Sequence, residues 1–180
     1  MQGLKTCDAG FTYSFLQSIL CIALTKILKP SCYDSSDMDV DSLLLPVSEQ
    51  NPCGEYLCYE PEYDKLKELR REDDPRLSQG VWQIEPKKAN WPELKTFSCK
   101  LLQTKTKDLQ IAMWLMEALI AEDGFQGFNE GLELVYGLCE KFWDGIYPSI
   151  DTESKSYTYR MAPFFFLAEK IAERLVVIPL

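Results

Sequence analysis

The stretch "LQIAMWLMEALIAE", residues 109–122, carries only Gln110, Glu117 and Glu122 as polar side chains. It shows no alternation of apolar and polar positions, so its length and composition read as a helix. A helix that is apolar nearly all round has no face to give to water and sits in the centre of a bundle. The rest of the chain must supply its cover. Asp108 stands where an N-cap belongs, Gly124 ends the segment and Gly127 continues the turn. A second helix follows over about 128–143, with Leu132, Val135, Tyr136, Cys139, Phe142 and Trp143 at helical spacing. So short a link makes the two an antiparallel hairpin.

The neighbouring segments are also helical. Asn90, with Glu93 three residues on, resembles a capping box ahead of Leu94, Phe97 and Leu101. Pro61 suits a first helical position, and Tyr63, Leu66 and Leu69 give one face through about Arg71. Between these two helices, 72–89 is a long irregular connection. Pro148 breaks the chain after the hairpin and "DTESKSYTYR" is a polar loop. A last helix over about 161–176 places Phe164, Leu167, Ala168, Ile171 and Leu175 on one face. No alternating strand and no fixed-period repeat occurs. The expected class is all-α: a compact multi-helix bundle around a central antiparallel helix hairpin, with long irregular connections.

The residue inventory narrows the chemistry. With 28 Asp and Glu against 19 Lys and Arg, the net charge is −9, which disfavours phosphate-driven binding of nucleic acid and docking on anionic lipid. There is no histidine, so Ser-His-Asp and Cys-His nucleophile systems and the commonest metal ligand are absent. The seven cysteines are irregularly spaced without a C-x-x-C pair, and Cys53 and Cys58 have no second pair to complete a tetrahedral site. They read as free thiols in a reducing cytoplasm, Cys99 and Cys139 as small fillers on helix faces. No metal or cofactor is expected. Residues 11–28, "FTYSFLQSILCIALTKIL", include Thr12, Ser14, Gln17, Ser18, Thr25 and Lys26 and fall short of a membrane span of ~20 apolar residues. They read as a short amphipathic helix, followed by a Ser- and Asp-rich linker over 29–42.

Glu60, Glu62 and Asp64 lie at a helix start, where negative charge is favourable with the helix dipole. Trp91, Trp114 and Trp143 fall on helices and read as core. Trp82 lies in the irregular connection, where a tryptophan either plugs its own domain or is offered to a partner.

Taken together, "MDVDSLLLPVSEQNPCGEYLCYEPEYDKL", "DDPRLSQGVWQ", "ANWPELKTFSCKLLQTKTKDLQIAMWLMEAL", "GFQGFNEGLELVYGLCEKFWDGIYP" and "YRMAPFFFLAEKI" resemble, in order and spacing, the N-terminal domain of the ImpA/TssA family of type VI secretion proteins. The resemblance runs from residue 38 to about 178. It implies a helical, non-catalytic, cytoplasmic scaffold or assembly module that engages baseplate, tail-tube or sheath components. It carries over no catalytic residue, and it makes Pro46, Pro52 and Gly54 an extended lead-in to the first helix. Members usually begin near Met38 and continue into further domains that set oligomeric state. Residues 1–37 are therefore expected to be an extension outside the family domain of 38–180, and self-association of this chain is expected to be weak.

Two other function classes compete. A carboxylate-based hydrolase would rest on Glu55, Glu60 and Asp64 facing one cleft. A membrane-attached adaptor would use residues 11–28. Under the favoured reading the partner contacts are exposed aromatics in irregular segments: Trp82 first, then Tyr56 and Tyr59.

Overall fold

The computed structural model describes residues 38–73, 86–150, 157–171 and 174. The apolar stretch 11–28, the extension 1–37 as a whole and Trp82 lie outside the described residues. Five α-helices run α1 Val40–Leu43, α2 Pro61–Arg70, α3 Trp91–Thr104, α4 Leu109–Phe142 and α5 Thr158–Phe166, the last continuing as a π-helical turn Leu167–Ile171. The described residues contain no β-strand, so the fold is all-α.

Helix α4 is two arms rather than one rod. Gly124 adopts φ 58° and ψ −131°, a conformation open to glycine, and divides 109–123 from 125–142. The arms then lie side by side. A Cβ added to Gly131 would fall 2.3 Å from the Met116 side chain, and one on Gly127 would fall 2.1 Å from the Leu119 carbonyl oxygen. In a continuous helix, positions 116 and 131 would be about 22 Å apart along the axis. The central antiparallel hairpin is thus present, with its backbones in close approach.

The first arm is the core. Ile111, Ala112, Met113, Leu115, Met116, Ala118 and Leu119 have no exposed surface. The second arm corrects the expected stripe. Its buried face is Gly127, Gly131, Leu134, Val135, Leu138 and Phe142, whereas Leu132, Tyr136, Cys139 and Trp143 are only half-buried. Gly127 also lies within the helix rather than in the turn. Glycines carry no apolar signal, yet here they define the packing face, because only they let the first arm come so near.

Helix α3 lies between α2 and α4, and α5 packs on α4. Asn90 caps α3 through its side-chain oxygen, 3.3 Å from the Glu93 amide, while its own side-chain NH2 reaches the Glu93 carboxylate at 3.0 Å. The short α1, most of it where the sequence suggested a Ser- and Asp-rich linker, is capped by Asp39 and seats Leu44 over Gly137. Helix α5 starts at Thr158, earlier than the expected 161, and tolerates Pro163 within it. Phe164 and Ile171 are buried as expected, but Ala168 is exposed, because the backbone widens into the π-helical turn there and the 3.6-residue periodicity no longer holds.

Charge is buried in this core as well. Glu117, 2% exposed, is gripped by two guanidinium groups: Arg70 of α2, and Arg174 at 2.9 Å. Both cations also face aromatic rings, Arg70 over Phe166 and Arg174 over Trp91.

Candidate functional site: a tyrosine edge on a clasped loop

The lead-in 46–60 is held as a rigid edge. Ser48 and Asn51 close a tight turn, the Ser48 hydroxyl accepting from the Asn51 amide at 3.0 Å, and the Val47 amide donates to the Pro52 carbonyl at 3.0 Å. Asn51 then donates its side-chain NH2 to the Gly54 carbonyl at 2.6 Å. Gly54, at φ +69°, runs so close to the α3–α4 connection that a Cβ would meet the Lys105 carbonyl oxygen at 2.0 Å. That approach lets the Glu55 amide donate to Lys105 O at 2.9 Å and the Lys107 amide donate to Cys53 O at 2.7 Å. A third segment joins at Tyr147, whose amide donates to Lys107 O at 2.9 Å and whose carbonyl accepts from the Leu109 amide at 2.9 Å. Three chain segments distant in sequence are thereby clasped by backbone hydrogen bonds, as isolated bridges rather than a sheet.

The clasp is polar inside. Thr106, Lys107 and Asp108 are all fully buried. The Lys107 ammonium donates to the Leu43 carbonyl at 2.7 Å and the Leu102 carbonyl at 2.5 Å, the free carbonyls at the ends of α1 and α3. Burial pulls this lysine down to about 8. Asp108 accepts from the Gln110 amide at 2.7 Å, capping α4, and burial pushes its carboxyl up to about 6. Arg160 of α5 secures the far end: it donates to the carbonyls of Pro148 at 2.9 Å, Ile146 at 2.6 Å and Trp143, and stacks over the Trp143 ring. Cys53 is enclosed here, and burial raises its thiol against the opposing pull of Lys107 and Arg160, which keeps it protonated and a poor nucleophile.

On the outside of this clasp sit the tyrosines. Tyr56 stacks on Tyr147 at 5.1 Å between ring centroids, and the Tyr147 hydroxyl donates to Gly54 O at 3.1 Å. Tyr56 remains 39% exposed and Tyr59, on the turn before α2, 92% exposed. Leu57, buried to 2%, anchors the same turn. The structure therefore brings Tyr56 and Tyr59 onto one short, well-fixed segment.

The carboxylates are not assembled for chemistry. Glu55, Glu60 and Asp64 are all exposed, and Asp64 pairs with Lys67 at 3.1 Å. An acid–base pair requires two carboxyls facing one enclosed cleft, and these three face water. Glu62 instead bonds Lys105, which holds its carboxyl below the usual range. Among the described residues no three of His, Cys, Asp and Glu are placed to hold a metal, Cys53, Cys58, Cys99 and Cys139 are free thiols, and no helix is long and apolar enough to cross a membrane.

Known proteins share this architecture. The family profile described as "ImpA, N-terminal, type VI secretion system" matches residues 44–169, beginning in the lead-in and ending in the π-helical turn. The chain belongs to the ImpA N-terminal family. Among relatives of this ImpA N-terminal domain, the type VI secretion system component TssA1 of Pseudomonas aeruginosa is 32% identical over 146 residues. That alignment covers 79% of this chain and 42% of TssA1, so the chain spans less than half of that relative's length. A solved N-terminal domain of the TssA component from Burkholderia cenocepacia, which includes the conserved ImpA_N region, superposes with a TM-score of 0.68 at 34% identity. It covers 84% of this chain and 55% of its own. The ImpA/TssA resemblance seen in the sequence thus holds, and this domain is a type VI secretion component of the TssA type.

Sequence reasoning missed Lys107, Tyr147 and Arg160. The one local sign was Gly54, a lone glycine behind a proline, which marks close backbone approach without naming what approaches.

Proposed function

We propose that this ImpA N-terminal domain is a non-catalytic docking module of the type VI secretion machinery, acting in the cytoplasm. It engages baseplate, tail-tube or sheath proteins through the exposed aromatics Tyr59 and Tyr56, together with Trp82 of the connection that the sequence reads as irregular. The observation that supports this most is Tyr59. A large aromatic side chain left 92% in water, on a turn fixed by Leu57 and the clasp, loses little entropy when a partner covers it. Exposure of Glu55, Glu60 and Asp64 supports the non-catalytic part. The overall −9 charge supports weak self-association through mutual repulsion.

The test is co-purification of the tagged protein with each candidate baseplate, tube and sheath subunit. Tyr59→Ala and Tyr56→Ala are expected to cut recovery of one of them about tenfold or more, Tyr59→Ala with unchanged melting temperature and Tyr56→Ala with the small drop that losing its stack on Tyr147 brings. Undiminished capture by Tyr59→Ala, Tyr56→Ala and Trp82→Ala together would overturn the assignment of this edge.

A further inference from the structure

A second surface, apart from the tyrosine edge, has the opposite electrical character. A groove of about 400 Å³ is lined by Lys65, Glu68, Leu69, Lys87, Lys88 and Asn90. In a chain of net charge −9 its lining holds three lysines against one carboxylate. Lys65 and Leu69 are four residues apart on α2 and so stand one above the other on the same face. The facing wall is the backbone run 86–90.

The walls are fixed to each other. The Asn90 amide donates to Leu69 O at 2.8 Å, and the Lys87 carbonyl accepts from the Asp73 amide at 3.0 Å. The Lys87 amide donates to the Asp73 carboxylate at 3.0 Å, and its ammonium bonds both the Glu68 carbonyl, at 2.7 Å, and the Glu68 carboxylate. The groove is therefore formed before any ligand arrives, which removes one cost of binding.

We propose that this groove docks an acidic peptide segment, with one apolar side chain laid against Leu69 and flanking carboxylates meeting Lys65 and Lys88. Lys88 is exposed and has no ion-pair partner among the described residues. Lys65 pairs with Glu93 at 2.9 Å while half its side chain remains in water, and an ammonium offers three donors, so a second carboxylate can share it. The ammonium groups are spread along the rim, and two of the three already bond carboxylates, so they do not converge into a cage for a small free anion. Leu69 and the aliphatic stems of the lysines give an apolar floor with a cationic rim, which matches a chain carrying both kinds of side chain. Neither Tyr56 nor Tyr59 takes part, so this surface stands or falls separately from the tyrosine edge.

The test is panning of a random peptide library against the whole protein, with Lys88→Glu and Lys65→Glu/Lys88→Glu as counter-targets and pyrophosphate as a competing probe. The expected result is enrichment of peptides with two or more Asp or Glu around an apolar residue. By fluorescence anisotropy, such peptides should bind about tenfold more weakly to Lys88→Glu and more weakly still to the double variant. They should also bind more weakly at high than at low salt, and amide shifts should centre on Lys65, Leu69 and Lys88. Lys88→Glu should keep the native melting temperature, since that side chain is exposed, whereas the double variant also loses the Lys65–Glu93 pair and is measured well below its own transition. No enrichment, enrichment of non-acidic sequences, equal binding to Lys88→Glu, or displacement by equimolar pyrophosphate would each overturn the proposal.

Discussion

The first arm of α4 and the clasp that precedes it are both fully buried, yet they are held by opposite means. Residues 111–120 exclude water with apolar side chains and two nearby glycines, and contain one ion-paired carboxylate. Residues 106–108 are just as buried but polar, and their stability comes from hydrogen bonds to backbone groups left over at the ends of α1, α3 and α4. Burial of the arm is non-directional and tolerates small shifts. Burial of the clasp is directional and only partly satisfied. Among the described residues, the Thr106 hydroxyl and one Asp108 carboxyl oxygen are buried without a hydrogen-bond partner, and each unmet polar group in a dry site is costly. The clasp is thus the part that sets geometry, and the tyrosine edge rides on it.

The largest effect should come from the arm. Leu115→Ala, at a position with no exposed surface, is expected to lower stability by about 2–5 kcal/mol, read as a shift in urea midpoint. Leu119→Ala should match it. Near-zero shifts at both sites would mean that the arm does not behave as a core.

The clasp should respond to pH through Asp108. Asp108 has a folded carboxyl at about 6, above its ordinary 3.8, so the folded state holds this proton more tightly than the unfolded one. Its contribution is fully present below 3.8 and is lost as pH rises through 6. Asp108→Asn should therefore gain on the native protein by about 2–3 kcal/mol between pH 4 and pH 7.5, measured by urea titration at each pH. A pH-independent difference would show that Asp108 is not desolvated in the folded protein.

Gly54→Ala sharpens the contrast by adding one methyl group. With φ +69° and the Lys105 carbonyl oxygen 2.0 Å from the new Cβ, a cost of about 1–3 kcal/mol is expected. Amide exchange should accelerate at Glu55 and Lys107 before it does in the first arm. Equal acceleration in both regions would make the clasp and the arm one cooperative unit. The smallest effect belongs to Tyr59→Ala, which should change thermal stability by no more than about 0.5 kcal/mol. A larger loss would mean that the ring supports the fold.

What could be read from the sequence follows this same division. Residues 109–122 announce a buried helix, because a run with three polar side chains in about four turns has no other place to go. Asn90, Asp108, Pro61 and Gly124 mark boundaries through their own backbone preferences, and each stands where expected. The face of the second arm was misjudged, since Gly127 and Gly131 define it by absence of side chain and periodicity counts only what is present. Lys107 and Arg160 were invisible for a related reason. A lysine in "KTKD" looks like a solvated charge until the carbonyls of Leu43 and Leu102, contributed by other helices, are seen around it. Among the site residues, Tyr56 and Tyr59 were named from the sequence, but the stacking on Tyr147 that separates half-covered Tyr56 from open Tyr59 depends on a contact across 91 positions.

The grip on Glu117 also has a consequence in time. The ribosome delivers Arg70 first, Glu117 47 residues later, and Arg174 57 residues after that. When the hairpin first emerges, the carboxylate at its centre can meet only one of its two guanidinium partners, and the stacking of Arg174 on Trp91 does not yet exist. The nascent chain can collapse around its apolar arm, but its electrical interior is completed only once Arg174 has emerged. Until then the domain carries a half-neutralised carboxylate at the centre of its apolar arm, a defect that leaves the early fold open to rearrangement.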